Sequence, residues 1–264
     1  MNLCSIASGS SGNCIYVGND NTHLLIDVGI SKKRIVEGLN EIGIAPETIS
    51  GILITHEHTD HISGLGVMAR GYNIPIYATV ETINAILKTK NIGKIDQELF
   101  HFIKPDEEFK INDLTIKPFS TPHDASNPVC YTVRDNDGKV GVATDLGKYD
   151  DYIISNLEGV QILLLEANHD INMLHVGPYP YYLKQRILGD KGHLSNENSG
   201  RLICRLLNDK LKYIFLGHLS KENNFPELAY EAVKIEISNG AKEFEHKVKI
   251  AVANRDKPSE FVTV

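Results

Sequence analysis

The chain alternates short apolar runs with clusters of glycine, serine and asparagine. Near the N-terminus, NLCSIAS, NCIYVG and THLLIDVG predict three consecutive strands. SKKRIVEGLNEIG then has helical spacing, with Ile35, Leu39 and Ile42 on one face and Ser31 placed to cap the helix. The strands SGILITH and IPIYAT follow, each before a predicted helix, ISGLGVMARGYN (ending near a glycine) and VETINAILKTKN. The first half is therefore predicted to alternate strands and helices.

The second half repeats this pattern. EEFKINDLTIKPFST, NPVCYTVRD and KVGVATDLG are predicted strands, and DNDGK between the last two is typical of a hairpin turn. VQILLLEAN is apolar enough for a core strand, which would carry Glu166 and Asn168 to a sheet edge. Helices are predicted around YYLKQRIL, NENSGRLICRLLND and FPELAYEAVKIEISNG, with the strand KYIFLGH before the last helix and KVKIAVAN after it. We expect one domain, residues 1–264, with helices outside two strand-rich halves.

Composition excludes several classes of protein. With 42% hydrophobic and 23% charged residues, the chain is neither collagenous nor disordered. The sequence has no signal-peptide pattern and no apolar run of membrane-spanning length, so we expect a cytoplasmic protein without a membrane partner. The four cysteines lack the paired spacing of zinc ribbons and are expected to be free thiols.

Charge bears on the choice of partner. The formal net charge of −7 argues against a protein that coats nucleic acid by electrostatic attraction alone. Positive side chains nevertheless outnumber negative ones over residues 181–213. This segment is a candidate for phosphate contacts, and a solvated helix face is the alternative.

The stretch ILITHEHTDHISG, residues 52–64, carries the densest candidate chemistry. His56 and His58 are two residues apart in extended chain and project to the same side, and Asp60 and His61 follow where the chain turns into a helix. Three imidazoles and a carboxylate suit Zn²⁺, Mn²⁺ or Fe. The spacing predicts a metal centre at the end of this strand.

HEHTDH fits the H-x-H-x-D-H signature of the metallo-β-lactamase superfamily, which the chain also resembles beyond this motif. Asp27 closes LLIDVG, His123 lies in FSTPHDA, Asp145 ends GVATDLG and His218 ends YIFLGH, in the order expected for that superfamily. The resemblance implies an α/β (α+β) fold, a four-layer αββα sandwich in which two β-sheets pack face to face with helices outside.

The resemblance also implies two divalent metal ions per chain, Zn²⁺, Mn²⁺ or Fe. The implied ligands form two groups of three and one bridging carboxylate: His56, His58 and His123 for the first ion, Asp60, His61 and His218 for the second, and Asp145 between them. Asp27 would hydrogen-bond a ligand from outside the metals. A metal-bridging hydroxide would be the nucleophile, which makes Asp60 catalytic as well as ligating.

The run GHLS, followed by x-E-N, occurs twice, at 192–195 and 217–220. The second copy ends an apolar strand, where the superfamily has its last ligand. The first copy precedes a predicted helix, so His193 and Ser195 would lie among free backbone N–H groups that attract an anion. In the superfamily's phosphodiesterases a histidine at about this place contacts the scissile phosphate. We therefore predict that His193 binds phosphate and acts as a general acid, with a capping-loop histidine as the alternative.

Other candidates have weaker signals. The loop ASGSSGNC offers Ser10, Ser11 and Asn13 to a substrate phosphate, with a plain tight turn as the alternative. Glu166 and His169 follow the core strand and are predicted to support the ligands from behind.

The function is predicted from the resemblance. The combination of IASGSSGNC, LLIDVG, THEHTDHISG, EANHD, GHLSNE and LGHLSKENN resembles a bacterial group within the superfamily that is regarded as 5′ to 3′ DNA exonucleases with a part in DNA repair. This implies a nucleic acid substrate, DNA with a 5′ end, and leaves protein partners unknown. Tyr179, Tyr181 and Tyr182 would stack bases or pack in loops. The alternatives are a small-molecule hydrolase of a lactone, thioester or cyclic phosphodiester, and a non-catalytic metal-binding regulatory protein.

Overall fold

Two seven-stranded sheets form the centre of the computed structural model, which describes residues 1–244 and 246–264. The strands of the first sheet are, in chain order, β1 (Asn2–Ala7), β2 (Cys14–Gly18), β3 (His23–Ile26), β4 (Ile49–Leu53), β5 (Ile76–Thr79) and β6 (Phe100–Ile103). Neighbours along the chain are neighbours in the sheet. From β3 to β6 the strands are parallel, so their carboxyl ends share one edge.

The second sheet is built in the same way from the second half of the chain. Its strands are β7 (Phe109–Ile111), β8 (Leu114–Ser120), β9 (Val129–Arg134), β10 (Lys139–Ala143), β11 (Ile162–Glu166), β12 (Tyr213–Gly217) and β13 (Lys249–Val252). The strands from β10 to β13 are parallel. A final strand, β14 (Val262–Thr263), returns to the first sheet and pairs with β1.

Helices cover the outer faces of both sheets. They are α1 (Lys32–Glu41), α2 (Thr59–Ile62), α3 (Leu65–Tyr72), α4 (Val80–Lys88), α5 (Asp151–Leu157), α6 (Ile171–Val176), α7 (Tyr181–Leu188), α8 (Asn196–Leu206) and α9 (Pro226–Gly240). Ser31 caps α1 as predicted, because its side chain accepts a hydrogen bond from the Arg34 N–H.

Alternation along the strands explains the four layers. Successive side chains of a strand point to opposite faces. In β11, Ile162 and Leu164 belong to the core between the sheets, whereas Leu163 and Leu165 pack with the helices outside. A strand buried on both faces has to be apolar throughout, and this is why VQILLLEAN shows no polar alternation. The predicted αββα sandwich is confirmed.

Some element predictions need correction. EEFKINDLTIKPFST is two strands rather than one, because a turn at Asn112, with φ of 51°, folds β7 back on β8. The predicted helix ISGLGVMARGYN is divided between α2 and α3, and it ends near a glycine as predicted: Tyr72 follows Gly71, and Asn73 is the C-cap in the left-handed region. Ile42 lies outside α1 as its C-cap. The predictions missed β6, β14, α5 and α6, which are short and lack a strong period.

Two predictions from composition can also be compared with the structure. All four cysteines are free; Cys4, Cys14 and Cys130 are buried, and Cys204 is half-buried. None of the helices in the described residues has the length and apolarity needed to cross a bilayer.

The core between the sheets should dominate stability. Phe215 of β12 is fully buried there, so Phe215→Ala is expected to lower the free energy of unfolding by about 3–5 kcal/mol. Urea denaturation of the metal-free protein measures this change. Phe102→Ala is the control: that ring is 66% exposed, and its removal should change stability by less than about 0.5 kcal/mol. Equal losses in both variants would contradict the assignment of the main core.

Candidate metal centre

The candidate ligands come together where strands of both sheets end. Because parallel strands share the edge at which they finish, side chains that follow them lie close together. The residues that follow β3, β4, β8, β10 and β12 include every predicted metal ligand and the predicted supporting aspartate: Asp27 after β3, His56, His58, Asp60 and His61 after β4, His123 after β8, Asp145 after β10 and His218 after β12.

Three imidazoles form the first cluster. His56 Nε2 lies 3.0 Å from His58 Nδ1, which lies 3.3 Å from His123 Nε2. His56 and His123 are buried and His58 is half-buried. A neutral imidazole carries a lone pair on one nitrogen, so three ring nitrogens facing one point suit a shared cation.

The second cluster combines a carboxylate with two imidazoles. Asp60 Oδ2 lies 3.5 Å from His61 Nε2 and 3.4 Å from His218 Nε2. Asp60 is the most exposed of the three, with 27% of its side chain accessible. The cluster therefore opens to solvent on the Asp60 side.

Asp145 lies between the two clusters. Its Oδ2 is 3.3 Å from His61 Nε2, and its Oδ1 is 3.6 Å from His123 Nε2. Oδ2 is buried and accepts no hydrogen bond from the described residues. A buried carboxylate oxygen without a donor is costly, and a cation at this position would satisfy it. The donor set therefore fits divalent metal ions, and the part of the chain that the structure describes supplies the clusters that could hold them.

Asp27 orients one ligand from behind. Its Oδ2 accepts from His61 Nδ1 at 2.7 Å and from the Thr55 hydroxyl at 2.8 Å, and its Oδ1 accepts from the Thr55 N–H at 2.9 Å. Nδ1 of His61 thus carries the proton, which leaves the Nε2 lone pair for a metal. Burial lowers the pKa of His61, but Asp27 and Asp145 outweigh it and raise that pKa well above its ordinary value.

Glu166 orients two histidines at once by hydrogen bonding. Its Oε1 accepts from Nδ1 of His193 and Nδ1 of His218, both at 2.8 Å, and its Oε2 accepts the N–H groups of Leu146 and Leu194. The carboxylate is fully buried. Burial raises its pKa, but the two histidines outweigh this and hold it below the ordinary value. Glu166 is therefore ionised, and it fixes the orientation of both rings.

His193 lies between ligands of the two clusters. Its ring centroid is 5.1 Å from that of His123 and 5.3 Å from that of His218. The side chain is 14% exposed, so part of the ring is accessible to solvent. This position is compatible with the predicted contact to a substrate.

The weaker candidates occupy different places. Asn13 is buried, with Nδ2 3.3 Å from His61 Nε2, and it pins the loop by bonding both the N–H and the carbonyl of Gly9. Ser10 and Ser11 are exposed at the tip of this loop. Ser195 is only 2% exposed and caps α8 by accepting the Asn198 N–H, so its hydroxyl serves the helix.

His169 is buried behind the centre. It is 1% exposed, and neither ring nitrogen has a hydrogen-bond partner among the described residues. Burial lowers its pKa to about 4, so the ring is neutral. Its backbone, rather than its ring, joins the structure near the site, because its carbonyl accepts the Asn196 N–H at 2.9 Å.

Two site features were missed at the level of sequence. Asp124 lies 3.4 Å from His123 Nε2 and pairs with Arg186, whose Nη2 is 2.9 Å from Oδ1. The only sequence signal for this contact was the position of Asp124 directly after His123. The second feature is backbone strain: Asp27, Asp145 and His218 have φ of 59°, 59° and 55°. Aspartate and histidine tolerate this left-handed region better than most residues, and all three occupy it just after a strand.

The three arginines of the basic segment 181–213 are paired with acids. Arg186 pairs with Asp124, and two further arginines of this segment are paired in the same way, Arg201 with Glu236 and Arg205 with Asp151. These pairs favour the solvated helix face that the sequence left open.

An αββα sandwich with histidines and aspartates at the shared edge of its sheets defines a metal-dependent hydrolase fold of the metallo-β-lactamase type. The chain belongs to this superfamily, since the family model of the beta-lactamase superfamily domain matches residues 22–214.

Relatives extend over most of the chain. It is 43% identical over 225 residues to the exodeoxyribonuclease WalJ of Streptococcus pneumoniae serotype 2 strain D39, covering 85% of this chain and 84% of that protein. It is 39% identical over 233 residues to the exodeoxyribonuclease YycJ of Bacillus anthracis, covering 88% of each. Among solved structures, the metallo-β-lactamase fold protein YhfI of Bacillus subtilis superimposes with a TM-score of 0.68 at 16% identity, covering 98% of this chain and 99% of that one. The resemblance inferred from the motifs is confirmed.

The shared carboxylate at Glu166 can be tested by removing its charge. In Glu166→Gln an amide N–H₂ would face either the two histidines or the two backbone N–H groups, all of which donate. Metal affinity should fall about 10- to 100-fold, as measured by competition with a fluorescent chelator. Glu47→Gln, on an exposed turn, is the control and should bind metal like the parent protein. An affinity loss below about threefold would contradict the role given to Glu166.

Metal binding should also release protons. Burial lowers the pKa of His218, but Asp145 and the bonds to Asp60 and Glu166 outweigh it and raise that pKa to about 10. His218 is thus protonated in the metal-free protein at pH 7.5, the pKa of His61 is raised in the same direction, and a metal takes only the unprotonated nitrogen. Affinity should therefore rise with pH between 6 and about 9. Calorimetry in two buffers of different ionisation enthalpy measures the release, and identical heats in both would contradict it.

Proposed function

We propose that this protein is a metal-dependent phosphodiesterase that acts as a 5′ to 3′ DNA exonuclease. The observation that carries the proposal is the position of His193 between two ligand clusters joined by Asp145. The exodeoxyribonuclease relatives, at 43% and 39% identity over most of the chain, support the choice of nucleic acid as substrate. Ends produced during DNA repair are the expected source of substrate. Free thiols favour action in the cytoplasm.

The number of ions is part of the proposal. His56, His58 and His123 would hold one divalent cation and Asp60, His61 and His218 a second, with Asp145 shared. Zn²⁺, Mn²⁺ and Fe all suit these nitrogen and oxygen donors. When bound, two such ions supply a nucleophile from water at neutral pH and offset the charge that develops on the phosphate.

The remaining chemistry falls to the side chains of this chain. Because Glu166 accepts a hydrogen bond from Nδ1 of His193, the Nε2 atom of the ring would contact a non-bridging or leaving oxygen of the phosphate. His193 would donate a proton to the departing oxygen, and Glu166 would stabilise the charged ring before the transfer. Glu166 and Asp27 are positioning residues here, because they act through the histidines that they hold.

Substrate would reach the centre from its open side. Tyr181 and Tyr182 at the start of α7 are 77% and 74% exposed, which disfavours the packing alternative for these two rings. Arg186 lies one turn after Tyr182 on the same face of the helix and is bound to Asp124 beside His123. This face would stack a base near the metal centre.

Cleavage of end-labelled oligonucleotides tests the proposal. Single- and double-stranded DNA and matched RNA would be incubated with protein loaded separately with Mn²⁺ and Zn²⁺. We expect release of mononucleotides from 5′-phosphorylated DNA in at least one metal form, because a phosphate between His193 and the proposed ions would contact both.

Asp60→Ala is the control for contaminating nucleases. It removes a predicted ligand, and activity should fall by at least about a hundredfold. Release that persists in this variant, or no metal-dependent cleavage of any polymer, would exclude the exonuclease. The second result would direct attention to small esters and cyclic phosphodiesters.

A further inference from the structure

A cavity of about 220 Å³ is lined by residues that adjoin His218. Ser8, whose hydroxyl accepts the His218 N–H at 2.8 Å, and Leu219, the residue after His218, both line it. Phe225, Lys221 and Arg255 form other parts of the wall. The cavity is thus adjacent to the candidate metal centre but shares none of its ligands.

Arg255 carries a charge that no described carboxylate neutralises. Its Nη2 donates to the Leu219 carbonyl at 2.7 Å, and its Nη1 donates to the Ser11 hydroxyl at 3.2 Å. Both partners are neutral, whereas Arg186, Arg201 and Arg205 each pair with an acid. A guanidinium has five N–H donors, and these two bonds leave others available.

The same cavity collects further groups that suit an anion. Lys221 is exposed in its wall and adds a second positive charge. Phe225 and Pro226 place the beginning of the 15-residue helix α9 there, and Phe225 supplies no side-chain cap. The positive end of the helix dipole at that position favours negative charge. The helix end thus adds to the positive charges of Arg255 and Lys221 in the same cavity.

Chemistry and position together identify the anion. The Phe225 ring is 47% exposed, so an apolar face lies beside the positive charges. A nucleotide unit offers both a phosphate and a flat base, which matches this pairing. The scissile phosphate has to lie at the metal centre, so a phosphate in this cavity would be a different one on the same strand.

We propose that the cavity formed around Arg255 and Lys221 binds a non-scissile phosphate of the nucleic acid strand. This inference rests on the proposed function and deepens it by giving the enzyme a second phosphate contact. The proposal also assigns a role to the ASGSSGNC loop and to the second GHLS run: both would position Arg255, which donates to Ser11 of the first and to Leu219 of the second.

Two substrates separate this contact from the chemistry. A single-stranded oligonucleotide has many phosphates, whereas bis(p-nitrophenyl) phosphate has only the scissile one. In Arg255→Ala, kcat/KM should fall for the oligonucleotide by at least about tenfold more than for the small diester, mainly through KM. The slope of log binding constant against log salt for the oligonucleotide should decrease in magnitude by about 0.7, the value for one phosphate contact on a single strand.

Arg70→Ala is the matched control. Like Arg255, Arg70 donates to neutral partners, here the carbonyls of Ile92 and Lys94, and has no carboxylate partner among the described residues. Its removal should leave the ratio of the two activities and the salt slope as in the parent protein. A purely structural role of Arg255 beside His218 would lower both activities equally and leave the slope unchanged, and that result would overturn the proposal.

A measurement without turnover tests the phosphate contact at Arg255 separately from the proposed exonuclease activity. Phenylglyoxal modification of each arginine would be followed by mass spectrometry, with and without a phosphorothioate oligothymidine. We expect the oligonucleotide to protect Arg255 at least about fivefold more than Arg70. If the parent protein cleaves no nucleic acid, the proposed function fails; protection of Arg255 would still support the contact, and equal modification would overturn it.

Discussion

Three imidazole nitrogens, His56 Nε2, His58 Nδ1 and His123 Nε2, meet at 3.0–3.3 Å where the edges of the two sheets converge. Lone pairs held this close repel unless a proton or a metal lies between them. Burial and the neighbouring histidines lower the pKa of His56 well below the ordinary value, so this ring is neutral and can offer a lone pair to a metal. A divalent cation relieves this repulsion. The arrangement of the surrounding side chains depends on this requirement.

Supporting groups hold the rings in place from the other side. Asp27 fixes His61, Glu166 fixes His218 and His193, and the Gly192 carbonyl accepts from His123 Nδ1 at 3.1 Å. The sheets provide the registers that make this possible. Glu166 and Gly217 are partners in the parallel pairing of β11 and β12, so the carboxylate lies beside the residue that precedes His218. The first sheet contributes Asp27 and the HEHTDH segment, and the second contributes His123, Asp145 and His218. Each ligand cluster therefore combines residues from both sheets and depends on the packing between them.

Local signals explain which parts could be predicted from sequence. Spacing in HEHTDH brings its side chains together whatever the rest of the chain does, and apolar runs such as VQILLLEAN indicate core strands. Contacts over long separations left no such signal. Glu166 was predicted only as a supporting residue. Its two hydrogen bonds, from His193 and His218, form only because separate segments of the chain meet at this point. The left-handed backbone of Asp145 is likewise set by the turn that ends β10.

Charge shows the same limit of sequence reasoning. Residues 181–213 are rich in arginine and lysine, but the availability of an arginine to a phosphate depends on whether a carboxylate already binds it. Glu236 and Asp151, which lie outside that segment, pair with Arg201 and Arg205. Arg255 lies in no basic cluster of the sequence, yet among the described residues its partners are a carbonyl and a hydroxyl rather than a carboxylate. In a chain of net charge −7, unpaired positive charge would attract a polyanionic strand. The pairing of acids and bases in the fold, rather than the density of basic residues along the chain, therefore decides which basic side chains could contact the proposed strand.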